Sequence, residues 1–344
     1  MNSKPRFLPD PETGCLSDES TKKYFSRFGL SVFVMCTASF LVPIVVGYLL
    51  NTFAPQLFES KELLVITNTA LSILTLYGVA LPIFLLMTKS LPKIKPTKEK
   101  MGFLKWLGGF CIAFLAMMTG NYISNMLIIA IESLSGTTLV NPIESAIEQG
   151  IVPIIYICLI APVLEEIFFR KIVCDRLLPL GEGYAVFVSA VLFGLIHQNF
   201  YQFAYAFFVG LIFAFIYVKT GKLIYSMLYH VIINILGSVV APFIIKQVDI
   251  DRLLTMLETG VFDYDLKMII FMLILLAYEG VMMIVGIIGI VLLIKAKYDK
   301  KLKLEAGIIP PPKKHRIANI FCTAGVAAAV AYFAFAFVLS IIPS

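Results

Sequence analysis

The chain has 344 residues, of which 59% are hydrophobic and only 15% are charged. A soluble domain carries about 25% charged residues, so this composition excludes a soluble enzyme and predicts a polytopic membrane protein. The formal net charge of +6 does not indicate nucleic-acid binding, because the basic residues lie in the segments between apolar runs.

The predicted elements are apolar runs separated by polar connections. Segment 1–28 is polar and lacks the features of a signal peptide, so we expect a cytoplasmic N-terminal tail. Runs long enough to cross about 30 Å of hydrocarbon as helices then follow at 29–52, 63–88, 103–133, 151–178, 200–218, 223–246, 268–295 and 317–342. A shorter run at 183–198 is a further candidate. The pattern predicts an all-α fold, a polytopic transmembrane helical bundle of about eight to nine membrane segments.

The distribution of basic residues predicts the orientation of this bundle. Of the 28 Lys and Arg residues, 24 lie in alternate connections, namely 1–28, 89–105, 170–182, 219–222 and 295–316. This asymmetry places the N-terminus in the cytoplasm and the C-terminus outside, and it requires segment 183–198 to cross the membrane.

These boundaries predict a membrane core with peripheral parts. The core is 29–295 with a motif region at 151–246, followed by a basic, proline-containing cytoplasmic loop at 296–316 and a C-terminal transmembrane helix at 317–344. We expect the first and last spans and the basic loop to be peripheral to the motif-bearing core. We also expect the bilayer to be a bacterial plasma membrane.

The fourth apolar run ends with charged residues that hydrocarbon disfavours, namely Glu165, Glu166 and Arg170. Each ionisable side chain at membrane depth costs roughly 3 kcal/mol, so such groups normally face a protein interior and mark a functional site. Glu166 and Arg170 are four residues apart and share a helix face, which favours a neutralising pair with a supporting role.

Two later apolar runs each carry a pair of residues at the same spacing, Phe193 with His197 and His230 with Asn234. Both partners of a pair lie on one helix face. Counted at about 1.5 Å per helical residue, Glu165, His197 and His230 fall at similar depths. The sequence therefore predicts one buried polar pocket that opens toward the cytoplasm, with Phe193 shaping its wall.

Such a pocket contains the parts of a hydrolase. A carboxylate and an imidazole in a low-dielectric cavity can orient and deprotonate a water molecule. A second imidazole and a carboxamide can stabilise a developing oxyanion. The alternative is a divalent metal such as zinc, held by Glu165, His197 and His230.

Taken in order, the chain contains Glu165-Glu166-x-x-x-Arg170, Phe193-x-x-x-His197 and His230-x-x-x-Asn234. This series closely resembles the three motifs of the CPBP intramembrane endopeptidases, the CAAX-protease and bacteriocin-processing family, also called Abi. The resemblance implies hydrolysis of peptide bonds in membrane-associated peptides or proteins, including prenylated CAAX-like ones. It implies that Glu165 and His197 activate water and that His230 and Asn234 form the oxyanion site. The family is described both as metal-dependent and as metal-free, and we favour a mechanism without a metal.

Two other classes of function remain open. A non-proteolytic bacteriocin-immunity or regulatory membrane protein would also keep the pocket. A proton-coupled transporter would use buried Glu, His and Arg as a relay, although the sequence shows neither an internal repeat nor paired broken helices. The sequence makes no prediction of the oligomeric state.

Overall fold

The computed structural model describes residues 7–248, 250–261 and 264–342, and this part of the chain contains helices and no named strand. Seven helices are long and apolar enough to cross a membrane, and two shorter apolar helices, Glu182–Leu195 and Ala324–Leu339, accompany them. The predicted polytopic helical bundle is therefore confirmed. The helices are α1 (Asp18–Phe53), α2 (Lys61–Met87), α3 (Phe103–Ser135), α4 (Pro142–Ile147), α5 (Ile151–Leu180), α6 (Glu182–Leu195), α7 (Phe200–Thr220), α8 (Leu223–Gln247), α9 (Ile250–Thr259), α10 (Leu266–Tyr298), α11 (Arg316–Phe321) and α12 (Ala324–Leu339).

Helix α1 begins well before the predicted first span, within the segment predicted to be a polar tail. Ser17 caps the helix by accepting a hydrogen bond from the Ser20 N–H at 3.1 Å. Tyr24, Phe25 and Phe28 are buried, so the early turns of α1 pack into the protein. The prediction failed here because the polar residues between these aromatics lowered the average hydropathy. Residues 1–6 of the predicted tail lie outside the described residues.

The predicted last span, 317–344, is two helices instead of one. The chain is extended at Thr323, between α11 and α12, and α12 has 16 residues, about 24 Å of helix. Residues 343–344 lie outside the described residues. The N-terminal end of α12 packs against α1 at Gly325, where an added Cβ would collide with the Ser26 carbonyl oxygen.

The first and last spans are not peripheral to the motif-bearing helices, contrary to the prediction. Buried residues of α1 and α12 belong to the same hydrophobic cluster as Phe169 of α5 and Phe193 of α6. The Tyr24 hydroxyl donates a hydrogen bond to the Arg176 carbonyl of α5. On α12, the Tyr332 hydroxyl donates to the Cys36 carbonyl of α1 at 3.1 Å.

The bundle has two ends, which are distinguished by the connections that meet there. At the end that carries the basic connections, here called the basic end, the Ile94 N–H donates to the Asp175 carbonyl at 2.8 Å, and the Ile309 N–H donates to the Pro179 carbonyl at 2.9 Å. The Leu16 N–H donates to the Pro310 carbonyl at 2.9 Å. The segments before α1, between α2 and α3, after α5 and after α10 therefore lie together.

The opposite end, here called the distal end, joins different connections. The Tyr201 hydroxyl, at the start of α7, donates to the Leu139 carbonyl between α3 and α4 at 2.9 Å. The Phe200 ring packs against Phe337 near the end of α12, with centroids 4.9 Å apart. Helix α7 runs from this end to the basic end between α3 and α6.

Three helices contain a wider π-type stretch just before a proline. Proline has no backbone N–H, and its ring clashes with the carbonyl four residues earlier. The backbone of the helix before the proline instead forms i to i+5 hydrogen bonds. For example, the Ala161 N–H donates to the Tyr156 carbonyl. These stretches are Leu74–Ala80 before Pro82, Tyr156–Ile160 before Pro162 and Leu236–Val240 before Pro242.

Candidate active site

The site is built around a buried ion pair within α5. Glu166 and Arg170 both have 0% exposed surface. Arg170 donates from Nε to Glu166 Oε2 at 3.1 Å and from Nη2 to Glu166 Oε1 at 3.2 Å. This bidentate geometry is the arrangement in which a guanidinium best compensates a carboxylate.

Arg170 also joins α5 to α6. Its Nη1 donates to Ser189 Oγ at 2.8 Å, and the Ser189 hydroxyl donates to the Phe169 carbonyl at 3.0 Å. The guanidinium carbon lies 4.9 Å from the centroid of the Phe193 ring. The side chain of Arg170 is therefore held by hydrogen bonds and by an aromatic face, and it fixes one face of α6 against α5.

His230, on α8, stands between the two adjacent glutamates of α5. Its Nε2 lies 3.7 Å from Glu165 Oε2, and its Nδ1 lies 3.5 Å from Glu166 Oε1. A proton on either ring nitrogen therefore faces a carboxylate. Arg170, Glu166, His230 and Glu165 form a continuous row of charged or ionisable groups from two helices.

His197 follows the last turn of α6 and has a defined tautomer. Its Nδ1 lies 2.7 Å from the Phe193 carbonyl. Because a carbonyl only accepts hydrogen bonds, Nδ1 carries the proton, and Nε2 is the ring nitrogen that keeps a lone pair. The Phe193 ring packs edge-on against both imidazoles, with centroid distances of 5.3 Å to His197 and 5.5 Å to His230.

Asn234, one turn beyond His230, links α8 to the π-type stretch of α5. Its Nδ2 donates to the Ile157 carbonyl at 2.9 Å. In the α register that carbonyl would bond to the Ala161 N–H, which instead donates to Tyr156. In the π register the donor would come from position 162, which is proline. Asn234 therefore supplies the hydrogen bond that the helix itself does not, and its second N–H is left for another acceptor.

Four of these residues face one cavity. It has a volume of about 200 Å³, and its lining includes Glu165, His197, His230 and Asn234, together with Phe193, Gln202 and Tyr205. A mainly apolar cavity of about 110 Å³ adjoins it and shares Glu165 and His197 as a common wall. The side chain of Glu165 is 22% exposed, in contrast to the fully buried Glu166. The structure thus brings together all seven residues singled out from the sequence.

The geometry of the described residues does not fit a metal ion. Among the described residues, no group of three or more His, Cys, Asp or Glu side chains is placed to hold a metal ion. Glu165, His197 and His230 share the cavity, but they do not form such a group. No step is therefore assigned to a metal.

Sequence reasoning missed several side chains of the site. Ser189 lies four residues before Phe193, so the i, i+4 pattern that indicated Phe193 and His197 also extends back to the residue that holds Arg170. Tyr77 of α2 lines the adjoining cavity, and its hydroxyl is enclosed by the protein. No motif links Tyr77 to the other residues, so no signal in one sequence could have found it.

Comparison with known proteins identifies a family relationship for this region. Residues 147–236, which contain all three motifs, match the family model described as type II CAAX prenyl endopeptidase Rce1-like. The match confirms the resemblance to the CPBP and CAAX-protease family, and it supports a CAAX-type intramembrane endopeptidase in general. No curated protein and no solved structure matches the chain.

Proposed function

Because the segment that carries the site matches the type II CAAX prenyl endopeptidases, we propose that this protein is an intramembrane endopeptidase that cleaves membrane-associated peptides or proteins. The observation that carries the proposal is the shared cavity of Glu165, His197, His230 and Asn234. At about 30 Å³ per water molecule, this cavity of about 200 Å³ has room for several waters or for a peptide group.

Glu165 is the better candidate for the general base. Glu166 is fully buried and both of its oxygens accept hydrogen bonds from Arg170, whereas Glu165 reaches the cavity. In our mechanism a water between Glu165 and His197 Nε2 loses its proton to the carboxylate as it attacks the peptide carbonyl carbon.

Asn234 and His230 are suited to the oxyanion that this attack creates. One N–H of the Asn234 amide donates to the Ile157 carbonyl, and the other remains available to the oxyanion. The bond to Ile157 fixes the orientation of the whole amide group. His230 Nε2 lies 3.7 Å from Glu165 Oε2, and a proton on this nitrogen can be donated to the oxyanion. Glu165 then returns the proton that it took from water to the leaving amine.

The test is a comparison of wild-type, Glu165→Gln and Glu279→Gln proteins in cells. Glu279 is also a glutamate within an apolar helix, but it lies on the exposed side of α10, so its substitution serves as the matched control. Quantitative proteomics should find membrane peptides that accumulate uncut only with Glu165→Gln. With one such peptide, purified Glu165→Gln or His197→Ala protein should cleave at least about 100-fold more slowly than wild type.

The contrary result would favour a binding or regulatory protein. In that case Glu165→Gln would leave both the peptide population and any protective phenotype unchanged, while the protein remains folded in thermal unfolding. Treatment with a chelator distinguishes a metal-free from a metal-dependent mechanism. Removal of divalent ions should leave the cleavage rate of a metal-free enzyme unchanged.

A further inference from the structure

The cavity of the candidate active site reaches residues at the distal end of the bundle. Besides the motif residues, its lining includes Pro142 and Ile143 of α4, a short helix in the distal connection between α3 and α5. A wider cavity of about 520 Å³ lies next to it and shares Pro142 and His197. That wider cavity is lined by residues within 138–145, 197–201 and 339–342, which all belong to the distal end.

On the opposite side the site is closed by packed side chains. From Glu166 toward the basic end, α5 presents Phe169, Val173, Cys174 and Leu177, which are at most 2% exposed. The Glu166 and Arg170 pair, at 0% exposure, follows Glu165 along α5 toward the basic end and is here called the floor of the site. These residues belong to the largest hydrophobic cluster or are enclosed by it, and they separate the cavity from the basic end.

The sidedness of the two ends follows from their charge. Of the 26 Lys and Arg residues that the structure describes, 21 lie in the connections that meet at the basic end, Arg170 of the site not being counted among them. Basic residues in short connections are retained in the cytoplasm. The distal end, where the cavity opens, therefore lies outside.

From these observations we propose that the active site is entered from the extracytoplasmic side. Its substrates are then peptide segments of exported or membrane-anchored polypeptides, presented at the outer half of the membrane. This inference rests on the proposed endopeptidase function, and it reverses the direction of access predicted from the sequence. It makes proteins anchored by a lipid at the cytoplasmic face unsuitable substrates.

Cysteine labelling in intact cells tests the direction of access without requiring activity. Ile143→Cys places a thiol in the cavity wall, and Ser145→Cys places one at the mouth as a nearly isosteric exchange. Both are made in the full chain with Cys15→Ser and Cys322→Ser, since the other four native cysteines are buried. The probe is a small, membrane-impermeant thiosulfonate.

We expect the probe to modify both introduced thiols in intact cells. The matched control is the chain that keeps native Cys15, which adjoins the basic end through the Leu16 to Pro310 hydrogen bond. Cys15 should react only after the membrane is permeabilised. If the cavity instead opened to the cytoplasm, both introduced thiols would stay unmodified in intact cells and would react only after permeabilisation.

Three results would overturn the inference. They are modification of the introduced thiols only after permeabilisation, no modification under either condition, and modification of Cys15 in intact cells. Failure of the proposed function is a separate result, since it would appear as an absence of peptides that accumulate with Glu165→Gln. If the function holds, the peptides that accumulate should map to extracytoplasmic ends of membrane proteins.

Discussion

Glu166 carries its charge in a place with no access to solvent, and one guanidinium compensates it. Exposed pairs contribute little to stability because water screens them. A buried pair differs, because removing one partner leaves an uncompensated charge in a low dielectric. Arg170 is therefore a structural requirement for the row that reaches His230 and Glu165.

At the residue scale, we predict that Arg170→Met lowers the free energy of unfolding by roughly 3–5 kcal/mol. The added substitution Glu166→Gln should recover part of this loss, since it removes the unpaired charge. Thermal unfolding of the purified variants in detergent measures both effects. Lys23→Met is the control, because Lys23 pairs with Glu19 at 2.6 Å on the exposed surface. Equal stability of Arg170→Met and Lys23→Met would contradict this role.

The residues of the site were predictable where one helix face carries two polar groups. The i, i+4 spacing in the sequence predicted that His197 shares a helix face with Phe193 and that Asn234 shares one with His230. The spacing could not show that His230 bridges two carboxylates from another helix, because contacts between helices depend on their rotation and tilt.

At the scale of the helix, Pro162 and Asn234 act as one unit. The proline removes the donor that the Ile157 carbonyl would use in the π register, and the side chain of Asn234 replaces it. A buried carbonyl that loses its partner costs about 1–3 kcal/mol. The link therefore fixes the height of α8 relative to α5, and with it the distance from His230 to Glu165.

We predict that Asn234→Ala lowers the free energy of unfolding by about 1–3 kcal/mol and that Pro162→Ala in the same protein recovers part of the loss. The alanine restores an N–H that can bond to the Ile157 carbonyl. Pro242→Ala is the matched control, because it restores a donor in α8 and leaves α5 unchanged. Thermal unfolding of the two double variants measures the difference, and equal recovery in both would argue against the link.

The existence of the helices was predictable and some of their boundaries were not. Hydropathy located each of the nine apolar helices, because the burial of backbone groups in lipid requires long apolar segments. The break at Thr323 and the early start of α1 depend on tertiary packing, which a hydropathy window does not detect. The π-type stretches were also missed, although Pro82, Pro162 and Pro242 provided a signal for them.

At the scale of the whole molecule, α1 and α12 complete the enclosure of the site. Met35 of α1 lines the cavity behind Glu165 and His197. The Tyr332 hydroxyl of α12 lies 3.3 Å from Gln198 Oε1, in the turn that carries His197. The helices predicted to be peripheral therefore support the turn that presents a proposed catalytic residue.

We predict that Gly325→Val destabilises the protein by about 1–3 kcal/mol, as overpacking does. An added Cβ would overlap backbone atoms of Ser26 and Leu30, so α12 would have to move away from α1. Gly280→Val in α10 is the control, because a Cβ there meets no described atom within 4 Å. Thermal unfolding gives the comparison, and similar unfolding temperatures for the two variants would show that the close approach is dispensable.

The packed floor of the site also has a consequence for the cell. A water-containing cavity that reaches deep into a bilayer shortens the insulating distance that ions must cross. Between Glu166 and Leu178 that insulation amounts to about 18 Å of helix, filled by side chains such as Val173 and Leu177 that have 0% exposure. The same close packing that holds Arg170 in place is therefore also the insulation between the cavity and the basic end of the bundle.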